Sequence, residues 1–181
     1  MLEEKLLIWK LKHGSAEAFE RIYVEHKNDL LKLAAVLLTD VHAAEDIVHD
    51  VFVNIAKTRQ SLGLAGNLKS LLATAVVNRA RNARRDGKRL IERTERMGDI
   101  AHANSLCPEQ WAILSERLQR LSEAMAQLPY EQREAVALHE GAEMTFPQIA
   151  RLQRVSVNTV QGRCRYGLQK LRSLLNSEDT P

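Results

Sequence analysis

The sequence predicts an all-α protein of two small helical domains joined by a flexible linker, the second domain carrying a helix-turn-helix. Three observations predict it. Apolar residues recur at intervals of three and four along most of the 181-residue chain. Aromatics make up only 4% of residues and glycine and proline are scarce, while Leu, Ala, Arg and Glu abound, a mixture that favours helices over sheets. One polar stretch without periodicity, residues 86–108, interrupts the pattern and reads as a linker. The domains are therefore expected at 1–88 and 109–176, with 89–108 between them.

The bounds agree with this. A hydrophobic share of 45% against 27% charged residues belongs to a folded chain. No apolar run approaches the ~20 residues that cross a bilayer. The start, Met1-Leu2-Glu3-Glu4-Lys5, lacks a secretory pattern, so the expected location is the cytoplasm, with no membrane partner. Cys107 and Cys164 lie far apart in no metal-like spacing and read as two reduced thiols.

Each element has its own signal. A first helix is expected from Leu2 to Lys12, broken at Gly14. Ser15 then offers an N-cap to a helix bearing Phe19, Ile22 and Tyr23, whose stripe continues through Leu30, Leu33, Ala34 and Leu37 to Thr39-Asp40. The next begins near residues 41–43, with Ile47, Val48, Val51, Phe52 and Ile55 on one side. Gly63 and Gly66 mark residues 61–67 as a loop. Asn67 can cap a long helix that carries Leu68, Leu72 and Val76 into a run of arginines, with Gly87 as its expected stop. Trp9 and Trp111 are expected in the core or at a domain interface.

Beyond the linker the pattern resumes at Trp111, Leu114, Leu118, Leu121 and Met125, stops at Leu128-Pro129, and continues in a helix from 130 to about 140. Thr145-Phe146-Pro147-Gln148 fits a capping box with proline harmlessly in the first turn. A short helix to Leu152, a tight connection at Arg154-Val155-Ser156 and a long basic helix from Val157 make the helix-turn-helix. The second helix would turn Val160 and Leu168 inward and project Asn158, Thr159, Gln161, Gly162, Arg163 and Arg165 near its start. Arg, Asn and Gln there can pair with base edges in a major groove.

The formal net charge of +3 hides strong segregation. Residues 1–50 carry −4, 51–96 carry +8, 97–150 carry −5 and 151–172 carry +6. Two basic blocks on predicted helices suggest two contacts with a polyanion. Six dispersed histidines show no metal spacing, and neither a phosphate-binding glycine loop nor a G-x-S-x-G motif is present, so no cofactor, metal or catalytic residue is expected.

Two stretches resemble one family. Ala18-Phe19-Glu20-Arg21-Ile22-Tyr23, Ala44 through Phe52, and Leu71 through Ala80 resemble the first conserved domain of bacterial extracytoplasmic-function (ECF) sigma factors. Leu128-Pro129-Tyr130-Glu131-Gln132-Arg133-Glu134 through Leu171 resembles the second. The resemblance implies a transcription initiation factor, not an enzyme, that guides core RNA polymerase to promoter DNA. Its first domain would bind the β′ clamp and open the −10 element. Its second would meet the β flap and read the −35 element, and an anti-sigma factor would be a further partner. This chain has His49-Asp50 where the family often has Gln-Glu, no Trp near Ala56, and Arg154 at a turn position usually held by Gly.

Site expectations follow from both lines. Glu45, Asp46, His49 and Asp50 form an acidic helical face, which charge pattern alone reads equally as ordinary surface and which the resemblance implies is the polymerase contact. Asn78, Arg79, Arg81, Asn82, Arg84 and Arg85 are expected at the −10 DNA, with an unstacked base in the loop near Gly63–Asn67. Ser156, Asn158, Thr159, Gln161, Arg163 and Arg165 are expected at the −35 DNA. The rival readings are a free-standing transcriptional regulator, a helical adaptor that binds only proteins and, more distantly, a small hydrolase or nuclease.

Overall fold

The computed structural model describes residues 2–61, 67–94 and 116–177, and among these every regular element is helical. The first half holds α1 (Leu2–Lys12), α2 (Ala16–Leu38), α3 (Val41–Thr58), a single 3-10 turn at Arg59–Ser61, and α4 (Leu68–Thr94). Gly14 turns the chain at φ +86°, where a side chain would be strained, and the Ser15 hydroxyl then accepts the Ala18 amide at 3.1 Å to start α2. Thr39 closes α2 in the left-handed conformation and Asp40 caps α3 through the Ala43 amide at 3.2 Å. Asn67 caps α4 through Ser70, and the Glu4 carboxylate accepts the Leu68 amide at 2.7 Å, which ties α1 to the positive end of the α4 dipole.

These helices close around Ile22, Leu37, Val51, Phe52, Leu72, Val76 and Val77, all buried. The second half holds α5 (Glu116–Ala126), α6 (Tyr130–Val136) continued as a wider π turn over Ala137–Gly141, α7 (Phe146–Gln153) and α8 (Val157–Ser177). Its core is Leu128, Val136, Leu138, Ile149, Val160 and Cys164. The expected capping box is formed, with Gln148 Oε1 accepting the Thr145 amide at 2.8 Å, and Ser156 accepts the Thr159 amide at 3.1 Å at the start of α8.

Two expectations are corrected. Gly87 does not stop α4, which runs on to Thr94. An interior glycine costs about 1 kcal/mol relative to alanine, and the Lys, Arg, Leu and Glu residues that follow are good enough helix formers to carry the chain past it. Trp9 is not in the core but 49% exposed, because Ile8 and Leu11 take the inward side of α1 and leave the next position pointing out. Trp9 lies instead against His13, with ring centroids 4.1 Å apart. Trp111, Cys107, Gly63, Gly66 and linker positions 95–108 lie outside the described residues.

The two halves touch. Helix α2 packs on α5 and α6, Arg133 donates to the Leu37 carbonyl at 3.3 Å, and Lys69 pairs with Glu143 at 2.6 Å. Their buried residues form one apolar cluster.

Candidate nucleic-acid and polymerase interfaces

On α3, Ile47, Val48, Val51 and Phe52 point into the core, so Glu45, Asp46, His49 and Asp50 are left outside, all exposed. The acidic face is real geometry. Its last member is shared with the neighbouring helix, since Arg79 of α4 donates to the Asp50 carboxylate at 2.7 Å and to the Asp50 carbonyl at 3.3 Å.

The basic run of α4 divides three ways. Asn78, Asn82 and Arg85, at spacings of four and three, form an exposed stripe, of which Arg85 also borders the cleft toward the second half. Arg79 leans on α3. Arg81 and Arg84 lie on the opposite flank and face the second half: the Arg84 guanidinium sits 4.2 Å from the Tyr130 ring centroid, and Arg81 donates from Nε to Glu134 Oε2 at 2.8 Å and from Nη1 to the Leu152 carbonyl at 3.0 Å. A second Arg81–Glu134 bond, from Nη2 to Oε1, makes the pair bidentate.

Glu134 is only 1% exposed, an uncommon situation for a carboxylate. Besides Arg81 it accepts from Gln153 Nε2 at 3.0 Å, and Gln153 Oε1 in turn accepts from Arg163 at 2.6 Å. A chain of contacts thus runs from α4 through α6 and α7 to α8. It borders a cleft of about 370 Å³ between the halves, lined by Arg81, Arg84, Arg85 and Arg163 with Glu131 and Glu134. Burial lowers the pKa of the Arg81 guanidinium, but the hydrogen bond and charge of Glu134 outweigh it and raise the value. Burial also pushes the Tyr130 phenol up, reinforced by Glu134, and pulls the Arg133 guanidinium down.

On α8, Val160 and Cys164 are buried, and Ser156, Asn158, Thr159, Gln161 and Arg165 are exposed at the other side. Leu168 packs partly against the core. Arg163 does not join the exposed set; it is half-buried and turned toward Gln153. Two residues outside the expected sets matter. Glu134 had a sequence signal, an acid four residues after Tyr130 on the inward stripe that continues to Leu138. Tyr166 is 55% exposed on α8, with Arg165 Nη2 donating to its hydroxyl at 3.2 Å.

Residues 22–90 match the family model of Sigma-70 region 2, and residues 118–171 match that of Sigma-70 region 4. The chain is 27% identical to the RNA polymerase sigma factor CarQ of Myxococcus xanthus, over 92% of this chain and 94% of that one. It is 24% identical to the ECF RNA polymerase sigma factor SigW of Bacillus subtilis, over 94% and 96%. The chain is an ECF-type sigma factor. Its function is that of a transcription initiation factor that directs RNA polymerase to promoters, and its family is one of non-catalytic regulatory factors.

The fold of this sigma factor is shared with solved structures. CnrH, in its complex with the cytosolic domain of CnrY, superposes with a TM-score of 0.70 at 20% identity, over 98% of this chain and 99% of that one. The sigma factor RpoE, in complex with the anti-sigma factor NepR from Bartonella quintana, superposes with a TM-score of 0.73 at 22% identity, over 89% and 98%. Among the described residues no helix is long and apolar enough to cross a membrane, and no group of His, Cys, Asp and Glu is arranged to hold a metal ion.

Proposed function

We propose that this sigma factor engages core polymerase through α3, the −10 element through α4 and the −35 element through α8. The observation that carries the reading is the division of exposed charge: a carboxylate face on α3, a polar and basic stripe at Asn78, Asn82 and Arg85 on α4, and a polar reader face on α8, each backed by a buried apolar stripe that fixes its direction. Glu45, Asp46, His49 and Asp50 meet basic groups of the β′ clamp, and the second half meets the β flap. Arg79, Arg81, Arg84 and Arg85 neutralise phosphates of the opened strand while Asn78 and Asn82 offer hydrogen bonds to it. Ser156 and Thr159 lie at the start of α8, where a groove-inserted helix meets DNA, and Asn158, Gln161 and Arg165 read base edges. The protein works in the cytoplasm beside its polymerase, catalyses nothing itself, and is held silent by an anti-sigma factor, as the RpoE–NepR complex suggests by likeness of fold.

The test is the double charge reversal Asp46→Lys with Asp50→Lys. Exposed charge pairs contribute under ~1 kcal/mol each, so the double change is the fair one. Affinity for core polymerase should fall by about tenfold or more, with an unchanged helical circular dichroism spectrum. Unchanged affinity of the folded double variant removes α3 from the polymerase contact.

A further inference from the structure

Helix α8 carries two glycines in opposite situations. At Gly167 an added Cβ would lie 2.8 Å from Val136 Cγ2 and 3.2 Å from Leu128 Cδ2, so packing against α6 demands the missing side chain. At Gly162 an added Cβ would meet nothing within 4 Å. The Gly162 backbone is ordinary helix, since the positive-φ glycine among the described residues is Gly14. Neither packing nor backbone conformation within this chain therefore calls for glycine at 162. Glycine is also the poorest helix former after proline, so its presence weakens the helix it sits in.

Its neighbours give the reason. Asn158 lies four residues before it, Arg165 three after and Tyr166 four after, all exposed, so Gly162 stands in the middle of the outward face, opposite Val160 and Cys164. Arg165 is steadied from within the same face, its guanidinium 4.9 Å from the Tyr166 ring centroid and donating to the Tyr166 hydroxyl.

We propose that Gly162 is a docking notch that sets how deeply α8 enters the major groove. Without a Cβ at its centre, the helix backbone lies against the groove floor. The short Asn158 amide then reaches a base edge from one side and the Tyr166-braced Arg165 from the other. The inference rests on α8 being the −35 reader, and the notch makes Gly162 a specificity-determining position although it has no side chain to read with. With no Cβ, glycine lets a backbone approach a ligand closely.

The experiment uses the full-length chain with core RNA polymerase. Wild type first selects its preferred duplexes from a random DNA library. Gly162→Ala, Gly162→Leu and Arg165→Ala are then measured on a selected and a scrambled duplex, each beside a thermal melt. Gly162→Ala should melt about 2–4 °C higher, as helix propensity dictates, yet bind the selected duplex at least about tenfold more weakly, the loss expected when one bidentate base contact is withdrawn. Gly162→Leu should lose more. Affinity for the scrambled duplex, governed by phosphates, should change by less than about twofold in both. A merely structural glycine would move stability and binding together. If Arg165→Ala weakens selective binding while both Gly162 variants bind like wild type, the notch is refuted and the reader assignment stands. If all three variants keep wild-type affinity and selectivity, the reader assignment fails and the notch fails with it.

Discussion

Arg154 holds the left-handed conformation, φ 55°, at the turn between α7 and α8, and its amide is bonded back to α7. A residue with a Cβ is less stable there than glycine by about 1 kcal/mol, partly offset by the greater freedom of glycine in the unfolded chain. Arg154→Gly should therefore stabilise the protein by roughly 0.5–1 kcal/mol in urea unfolding. Gly167→Ala should destabilise it by about 1–2 kcal/mol, because the collision with Val136 and Leu128 exceeds the gain in helix propensity. The opposite signs test whether the two positions are understood. At this scale much was legible: Ser15, Asn67, Ser156 and the Thr145–Gln148 pair cap helices because a cap needs only partners within about four residues. The partner of Glu134 was not legible, since Arg81 lies 53 residues away and is brought near only by packing. The half-burial of Arg163 escaped for the same reason, its Gln153 contact depending on how α7 crosses α8.

Among elements, α8 is the one whose faces the sequence allows to be assigned most fully. Val160, Cys164 and Leu171 fix its inner side, which sends Asn158, Gln161 and Arg165 outward. Replacing Asn158 or Gln161 with alanine should weaken binding to the preferred −35 element by roughly 1–3 kcal/mol and relax selectivity there. Arg163 lines the cleft between the halves and donates to Gln153, so it meets phosphate only once the halves part. Arg163→Ala should then weaken binding to matched and scrambled elements alike and lower the salt slope by about one unit. Affinities across several salt concentrations check both, and equal losses on both elements for Asn158→Ala and Gln161→Ala would take base reading away from them. Helix α4 shows where sequence reasoning stops short. Its apolar stripe and Asn67 cap were readable, but its far end was set too early at Gly87, because a single glycine weakens a helix without ending it.

The whole molecule is closed, and closure bears on both DNA surfaces. A buried carboxylate of the second half takes its counter-charge from the first, so the Arg81–Glu134 pair holds the halves together while occupying an arginine proposed for the −10 element. With α4 at the −10 element and α8 at the −35 element, as proposed above, this arrangement has to open on a promoter. The two elements are separate stretches of duplex, whereas Arg81 of α4 is here within hydrogen-bond reach of Leu152 in α7, which leads directly into α8. Breaking one partner of a buried ion pair costs about 3–5 kcal/mol if the other stays buried, so Arg81→Ala should let the halves part. Small-angle scattering should show the wild-type chain near the ~16 Å radius of gyration of a compact protein of 181 residues, and the variant clearly larger. Equal radii would mean that the apolar contact alone keeps the molecule shut. The division into two helical units and the family resemblance were legible in the sequence, since each unit carries its own periodicity and motif. Their docking was not, because the groups that meet there, Arg133 with Leu37 and Lys69 with Glu143, come from distant parts of the chain.

This sigma factor gives core polymerase its choice of promoter. Run-off transcription tests it most directly: purified core RNA polymerase, with and without the chain, on a template carrying a −35 and a −10 sequence selected by the resulting complex. A discrete transcript should appear that requires the chain and disappears when either element is scrambled. A chain that binds core polymerase and the duplex but yields no promoter-dependent transcript would contradict it.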